Sequence, residues 1–218
     1  MNIKAIFFDV EGTFLHIYPS VGEIYSKVWK EFGYFFPSQA LQESFKKAYY
    51  KIFLNSNEKE WNLSKCKNAW KKLFELVFSS VPPKLIEKVF EKTYNLFSTK
   101  EQVKIVPGFS EVLKKLKKKN LKLGIISNWD ERLYNILTEY GILKFFDGIF
   151  LGCETGYLKP DEKIFLKALN TLKVKSEESL MIGDSLEEDI KPAKKLGFQT
   201  YLYKGESFRE VFEALKIL

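Results

Sequence analysis

Short apolar segments alternate with helical patterns along most of the chain, and this alternation constrains the fold more than any other feature. The segments are residues 3–10, 121–127, 145–151, 180–183 and 200–203. Between the later ones, apolar residues recur every three or four positions, the period of an amphipathic helix. Strands that alternate with helices form mostly parallel sheets covered by helices on both faces. The sequence therefore predicts an α/β fold with a Rossmann-like parallel sheet core in three α/β/α layers.

Residues from about 20 to about 97 follow a different pattern. Four helical stripes occur there, at residues 25–32, 41–49, 70–78 and 86–94, without a clear strand pattern. A connection of roughly eighty residues is far too long for a simple loop. We therefore expect an all-α helical domain at residues 19–97, inserted into an α/β core domain formed by residues 1–18 and 98–218.

Polar residues that could take part in catalysis or binding follow three of the predicted strands. Asp9, Ser127 and Asp184 each lie at the carboxyl end of an apolar segment. Ligands of open parallel sheets bind outside this edge, so the three residues are expected to share a site. Taken alone, Asp9 could be a solvated turn residue. Lys159, which precedes a later predicted helix, could likewise be an ordinary surface lysine. The prediction of a site rests on their combination.

Carboxylates at this edge suit phosphoryl chemistry. A carboxylate such as that of Asp9 can attack phosphorus and form an acyl-phosphate, which divides hydrolysis into two easier steps. Asp184 would face Asp9 across the strand ends, and two close carboxylates repel unless a cation or a proton lies between them. Mg²⁺ prefers oxygen ligands and bridges to phosphate, so it is the expected cofactor.

Four short motifs occur in the order Asp9-Val10-Glu11-Gly12-Thr13, Ser127-Asn128, Lys159-Pro160 and Gly183-Asp184 with Asp189. This set resembles the haloacid dehalogenase superfamily of hydrolases, in its phosphatase-type branch with a helical cap inserted after the first motif. The resemblance covers nearly the whole chain. It implies a magnesium-dependent phosphoric monoester hydrolase that acts on a small phosphorylated metabolite through an aspartyl-phosphate.

The resemblance also assigns roles to individual residues. Asp9 is implied to be the nucleophile and a metal ligand, with Asp184, Asp189 and the backbone carbonyl of Glu11 completing the Mg²⁺ site. The phosphate-binding residues are implied to be Thr13, Ser127, Asn128 and Lys159, where Lys159 also neutralises charge during catalysis. Glu187 and Glu188 are interpreted instead as acids that complement the dipole of the following helix.

Glu11 departs from the commoner family pattern, which has Asp two residues after the nucleophile. There the Asp protonates the leaving oxygen and then activates water, and Glu can do the same acid–base work with one more methylene. Similar Asp-x-Glu-Gly-Thr patterns occur in some relatives, including enolase-phosphatases. Dehalogenase members typically have Tyr at this position, which argues against dehalogenation.

Other functions remain as alternatives. A phosphomutase of the same superfamily would share the Asp9 chemistry, and a haloacid dehalogenase or a non-catalytic phosphate-binding protein would share the fold. The set of Asp9, Glu11, Lys159 and Asp184 disfavours pure binding. The substrate and the oligomeric state are not encoded in any pattern we recognise.

The composition of the chain limits its possible binding partners and its cellular location. The net charge is +7, but the 35 Lys and Arg residues are interleaved with acids, so we expect a solvated surface and no nucleic-acid partner. No apolar run approaches the ~20 residues of a membrane helix. The start lacks a signal-peptide pattern. Cys66 and Cys153 are expected to be buried free thiols. A cytoplasmic location is the resulting expectation.

Overall fold

The main sheet of the protein has five parallel strands. The structure, a computed structural model, describes residues 3–217 of the chain. The strands are β1 (Ala5–Phe8), β4 (Lys122–Ser127), β5 (Gly148–Leu151), β6 (Ser179–Gly183) and β7 (Gln199–Leu202), in the spatial order β5-β4-β1-β6-β7. Every neighbouring pair is parallel. The predicted α/β fold is confirmed.

Two adjacent phenylalanines of β1 show how the sheet is covered on both faces. Phe7 packs edge-on against Phe198 and belongs to a buried cluster with residues of α8 (Glu162–Leu172). Phe8 points to the opposite face, where its ring contacts those of Phe109 and Phe208. These come from α5 (Phe109–Lys118) and α10 (Phe208–Ala214). Because both faces carry apolar side chains, β1 is buried throughout.

The register of the strands sets the position of the residues that follow them. Phe8 lies opposite Ile125 of β4 and Ile182 of β6. Asp9 therefore lies level with Gly183, and Asp184 comes one residue later. The sheet thus delivers both carboxylates to the same edge.

The remaining elements of the first unit are short. They comprise α6 (Arg132–Glu139), α7 (Gly152–Thr155) and α9 (Lys191–Lys195), with 3-10 turns at Leu143–Phe145 and Ser176–Glu178 and a π-helical turn at Leu186–Ile190. This unit consists of residues 1–16 and 105–218.

The second compact unit, residues 17–104, is mainly helical. Its helices are α1 (Val21–Lys30), α2 (Ser38–Tyr49), α3 (Leu63–Val77) and α4 (Pro83–Leu96), with a π-helical turn at Tyr50–Leu54 and a 3-10 turn at Lys100–Gln102. They surround a core of their own, in which the fully buried Trp29 contacts Phe74 and Phe78. All four predicted helices are present, so this segment is a folded helical insertion.

Several details differ from the sequence-based predictions. Two short strands, β2 (Leu15–Ile17) and β3 (Val103–Ile105), were not predicted; they pair with each other in a separate sheet. The third predicted strand begins only at Gly148, because the residues before it form a 3-10 turn. The expected single helix after Glu187 is replaced by the π-helical turn followed by α9.

Cys66 and Cys153 are buried, as expected, but both are disulfide-bonded, so the expectation of free thiols is wrong. Across residues 3–217, none of the helices combines the length and the apolarity needed to span a bilayer.

Candidate active site

Asp9 is the first residue beyond β1, and the structure holds it firmly. Its backbone N–H donates to the carbonyl of Ile182 at 2.9 Å, which extends the pairing with β6 by one residue. Its side chain is buried, with Oδ1 accepting from the Lys159 ammonium at 2.6 Å. Oδ2 lies 3.3 Å from the Thr13 hydroxyl. The carboxylate is thus fixed at the sheet edge by one cation and one hydroxyl group.

Lys159 lies between two carboxylates. It is only 4% exposed, and its Nζ contacts Asp189 Oδ1 at 2.5 Å as well as Asp9. Burial alone would lower the pKa of the Lys159 ammonium, but the charges of Asp189 and Asp9 outweigh it and raise this pKa above its ordinary value. Lys159 is therefore a permanent cation in the interior of the first unit.

Three carboxylates face this single ammonium group. Oxygen atoms of Asp9, Asp184 and Asp189 all lie within 4.8 Å of one another. Burial is the main cause that raises the pKa of Asp9 and that raises the pKa of Asp189 to about 6; the charge of Lys159 opposes both rises, and the charge of Asp9 adds to the rise at Asp189. When all three carboxylates are ionised, they carry more negative charge than the single ammonium group of Lys159 compensates.

Two glycines leave the space that the cluster occupies. Gly12 has a φ of 84°, and a Cβ placed there would come within 2.3 Å of Asp184 Oδ2. A Cβ on Gly183 would lie 2.3 Å from Asp189 Oδ2. Both positions require glycine because the backbone passes directly beside a carboxylate.

The loop after β4 supplies a side-chain amide. Asn128 Oδ1 accepts from the backbone N–H of Lys159 at 2.6 Å, and Nδ2 donates to the carbonyl of the same residue at 3.0 Å. Ser127 is buried at the end of β4, where its Oγ accepts from the backbone N–H of Trp129 at 3.2 Å. Asn128 is therefore joined to the cluster through Lys159.

The predicted site residues fall into two groups: those joined directly by side-chain contacts, and those that are not. Side-chain contacts join five of them directly: Asp9, Thr13, Lys159, Asp184 and Asp189. Glu11 has an exposed side chain, and its backbone forms a bridge with Leu15 in the turn after Asp9. The acid–base and metal-binding roles assigned to Glu11 stay predictions.

Glu188 belongs to this region, although its sequence context predicts only an acid near a helix terminus. Its half-buried Oε2 accepts from Asn128 Nδ2 at 2.8 Å. Burial is the main cause that raises the pKa of Glu188 to about 7. Glu187, by contrast, is exposed and pairs with Lys191. No sequence pattern separates the two neighbours, because the contact joins residues 60 positions apart.

A parallel sheet with an acidic cluster at its carboxyl edge places this chain among the α/β enzymes. The sequence model of the haloacid dehalogenase-like hydrolases matches residues 3–197. The chain therefore belongs to that family, and the expected enzyme class, a hydrolase with phosphatase relatives, is confirmed.

Three curated relatives illustrate the similarity. A hydrolase of Schizosaccharomyces pombe is 30% identical over 97% of this chain and 96% of its own length. Haloacid dehalogenase-like hydrolase domain-containing protein 3 of Bos taurus is 27% identical over 94% of this chain and 83% of its own. The glyceraldehyde 3-phosphate phosphatase of Pyrococcus furiosus is 35% identical over 49% of this chain and 45% of its own.

Solved structures share the fold at lower identity. A magnesium-bound HAD hydrolase of Bacillus subtilis superposes with a TM-score of 0.76 at 18% identity, with full coverage of both chains. The L-2-haloacid dehalogenase of Xanthobacter autotrophicus gives 0.70 at 17%, covering 98% of this chain and 83% of that one. A HAD phosphatase of Thermococcus onnurineus gives 0.65 at 23%, covering 98% of each. The fold alone thus does not distinguish phosphatases from dehalogenases.

Proposed function

We propose that this protein is a magnesium-dependent phosphohydrolase that acts on a small phosphorylated metabolite through an aspartyl-phosphate on Asp9. The observation that carries the proposal is the carboxylate cluster of Asp9, Asp184 and Asp189, with Lys159 buried against it. A nucleophilic carboxylate, a cation site and a permanent ammonium at one sheet edge are the groups that phosphoryl transfer requires.

The cluster fits a hard divalent cation. It offers oxygen atoms only, and the three carboxylates exceed the charge of one ammonium group. Gly12 and Gly183 leave room beside Asp184 and Asp189. Mg²⁺ takes such ligands and keeps several waters, whereas zinc sites favour Cys and His. When bound, Mg²⁺ would neutralise charge on the phosphoryl oxygens; Asp9, Asp184, Asp189 and the Glu11 carbonyl are proposed to hold it.

The side chains of the first unit would divide the remaining work. An Asp9 oxygen attacks phosphorus as the bond to the leaving oxygen breaks, and water later hydrolyses the aspartyl-phosphate to release phosphate and regenerate the carboxylate. Lys159, Thr13 and Ser127 stabilise the negative charge on the transferring group. Glu11 gives a proton to the leaving oxygen and then accepts one from the attacking water.

The helical insertion is proposed to be the cap that selects the substrate. Residues 17–104 form a unit with its own core, which is what a cap that moves as one body requires. We place its boundaries near the sequence-based ones, residues 19–97. Mutations that change substrate preference without loss of the chemical step are expected in this unit.

Relatives support phosphate esters as the substrate class. The relative from Pyrococcus furiosus is named for the hydrolysis of glyceraldehyde 3-phosphate. The neighbour from Bacillus subtilis was solved with magnesium bound. A small phosphorylated metabolite with Mg²⁺ as the cofactor agrees with both, and no nucleic-acid partner is needed. The expectation of a cytoplasmic location rests partly on free thiols. Both cysteines are disulfide-bonded, so they do not support a reducing compartment.

Two other reactions use the same fold and an attacking Asp. A dehalogenase needs no cation, so an acidic cluster beside the nucleophile would only repel its carboxylate substrate. A phosphomutase would return the phosphoryl group to its product. It would use the same Asp9 chemistry, so product analysis separates it from a phosphatase.

The decisive experiment is a screen of phosphorylated metabolites and p-nitrophenyl phosphate, with 5'-phosphates and small sugar phosphates included. Phosphate release with Mg²⁺ that stops after chelation by EDTA is expected. Retention of phosphate in an isomerised product would favour a mutase. Chloride release from 2-chloropropionate, without phosphatase activity, would overturn the proposal.

A further inference from the structure

The side-chain amide of Asn128 uses both of its ends on its surroundings. Its Oδ1 accepts from Lys159 N at 2.6 Å, while Nδ2 donates to Lys159 O at 3.0 Å and to Glu188 Oε2 at 2.8 Å. Both hydrogens of Nδ2 therefore have acceptors. The amide clamps the main chain of Lys159 with a matched donor and acceptor.

Glu188 and the main chain of Lys159 together fix which way this amide points. Glu188 Oε2 accepts one of the two Nδ2 hydrogens at 2.8 Å, and an amide oxygen in the place of Nδ2 could offer it no hydrogen. If the Asn128 amide rotated by half a turn, Oδ1 would face the Glu188 carboxylate and the Lys159 carbonyl, and two donors would be lost. Since Lys159 N would also face Nδ2, no hydrogen bond of the clamp would survive.

The clamp matters because Lys159 has a long and flexible side chain. Its ammonium lies between Asp9 and Asp189, at 2.6 Å and 2.5 Å. Four rotatable bonds separate this group from the main chain, so its position depends on where the main chain is held. A misplacement of about 1 Å in such a group can lower a rate by as much as about 10²-fold.

We propose that Glu188 is a positioning residue for the reaction: it orients the Asn128 amide, which in turn holds Lys159 against the nucleophile. The inference rests on the proposed function for its kinetic consequence, but the clamp itself does not depend on it. Glu188 acts here through its acceptor oxygen, and Glu187, the acid next to it, points to Lys191 and takes no part.

The test uses Glu188→Ala in the full-length protein with p-nitrophenyl phosphate and Mg²⁺. Loss of the hydrogen bond to Asn128 should lower kcat about tenfold and change KM less than about twofold, because the group acts after substrate has bound. Glu188→Gln keeps an acceptor oxygen and should restore kcat to within about threefold of wild type. Glu187→Ala is the matched control and should behave as wild type.

A double-mutant cycle separates positioning from a general structural effect. If Glu188 acts through Asn128, then Glu188→Ala should lower kcat by less than about twofold when Asn128→Ala is already present. An undiminished tenfold loss in that background would overturn the inference, as would a wild-type kcat for Glu188→Ala alone. Should Glu188→Ala fail to fold, Glu188→Met keeps the side-chain length without an acceptor and carries the same expectations.

An activity-independent measurement distinguishes failure of this inference from failure of the proposed function. In ¹⁵N spectra, the side-chain amide protons of Asn128 should exchange with solvent about tenfold faster in Glu188→Ala than in wild type or Glu187→Ala. If exchange is faster in Glu188→Ala but wild-type protein shows no phosphatase activity, the clamp is retained and the proposed function is rejected. Unchanged exchange with an active wild type would reject the clamp alone.

Discussion

Asp9 and Lys159 form a buried ion pair whose energetic cost suggests a function. Each charged group loses its hydration on burial, and replacing such a pair with apolar residues is often neutral or stabilising. Here the ammonium is shared with Asp189, so neither carboxylate is fully compensated. An arrangement that leaves excess negative charge in the interior is unfavourable for folding alone. It is favourable for a site that receives a cation and a phosphate.

The first prediction concerns the nucleophile. Asp9→Asn keeps the side-chain shape but replaces the nucleophilic carboxylate with a neutral amide, so turnover should fall by more than roughly 10³-fold. Lys159 retains its contact with Asp189, and the fold should survive. Steady-state rates together with far-UV circular dichroism check this. A folded variant with substantial activity would exclude Asp9 as the nucleophile.

Glu11 is the residue at which acid–base chemistry can be tested. Glu11→Gln cannot exchange a proton, and general acid–base catalysis is worth ~10²–10⁴-fold, so turnover should fall by about that factor. Mg²⁺ binding should persist, because only the backbone carbonyl of position 11 is proposed to bind it. The rates should be compared on an alkyl phosphate, whose poor leaving group needs the proton. A rate within about twofold of wild type would reject the role.

At the scale of elements, the turn after β1 is the most sensitive segment. Ala at position 12 must adopt a φ of 84° and would meet Asp184 Oδ2 at 2.3 Å. The left-handed conformation alone costs about 1–2 kcal/mol. We predict that Gly12→Ala lowers the free energy of unfolding by this amount. It should also lower kcat at least about tenfold, because Asp184 has to move.

Gly108→Ala provides the matched control for this prediction. Gly108 has a φ of 80°, but nothing lies within 4 Å of a Cβ placed there. Its free energy of unfolding should fall by the same ~1–2 kcal/mol while its kcat remains that of wild type. Urea unfolding and steady-state kinetics on both variants measure the two effects separately. Equal kcat values for the two variants would show that the clash with Asp184 has no catalytic consequence.

Much of the architecture was accessible from the sequence because β1, β4 and β6 are continuous apolar runs that end at polar residues. In a parallel sheet these ends must meet, so the proximity of Asp9 and Asp184 could be predicted. The short strands β2 and β3 have three residues each, too few to show a period. The contact between Asn128 and Glu188 arises only from tertiary structure, because 60 positions separate the two residues.

At the scale of the whole molecule, the chain places its chemistry in one unit and its largest helical segment in another. All residues of the candidate site belong to residues 1–16 and 105–218, while the insertion has an independent aromatic core. If the insertion selects the substrate, as proposed above, substitutions in it should leave the carboxylate cluster undisturbed. The net charge of +7 also favours the approach of anionic phosphate esters from solution.

This division leads to a prediction about where a metal ion stabilises the molecule. A ligand that binds only the native state stabilises it by RT ln(1 + [L]/Kd), about 2.7 kcal/mol at a hundredfold excess over Kd. For a chain of this size, such an increment corresponds to a rise in Tm of roughly 5–10 °C. We expect Mg²⁺ to raise the Tm of wild type by that order at saturating concentration. Asp184→Asn, which removes a proposed ligand charge, should lose most of the shift.

Hydrogen exchange locates the same effect. Mg²⁺ should slow amide exchange most in residues 9–13 and 184–189, because these two segments contain the proposed ligands. Amides within α3 of the helical insertion should change little when the metal is added without substrate, since the ligand set lies entirely in the first unit. Wild-type protein whose Tm and exchange rates are the same with saturating Mg²⁺ and with EDTA would contradict a metal site in the carboxylate cluster. Protection of α3 alone would place the binding site in the insertion instead.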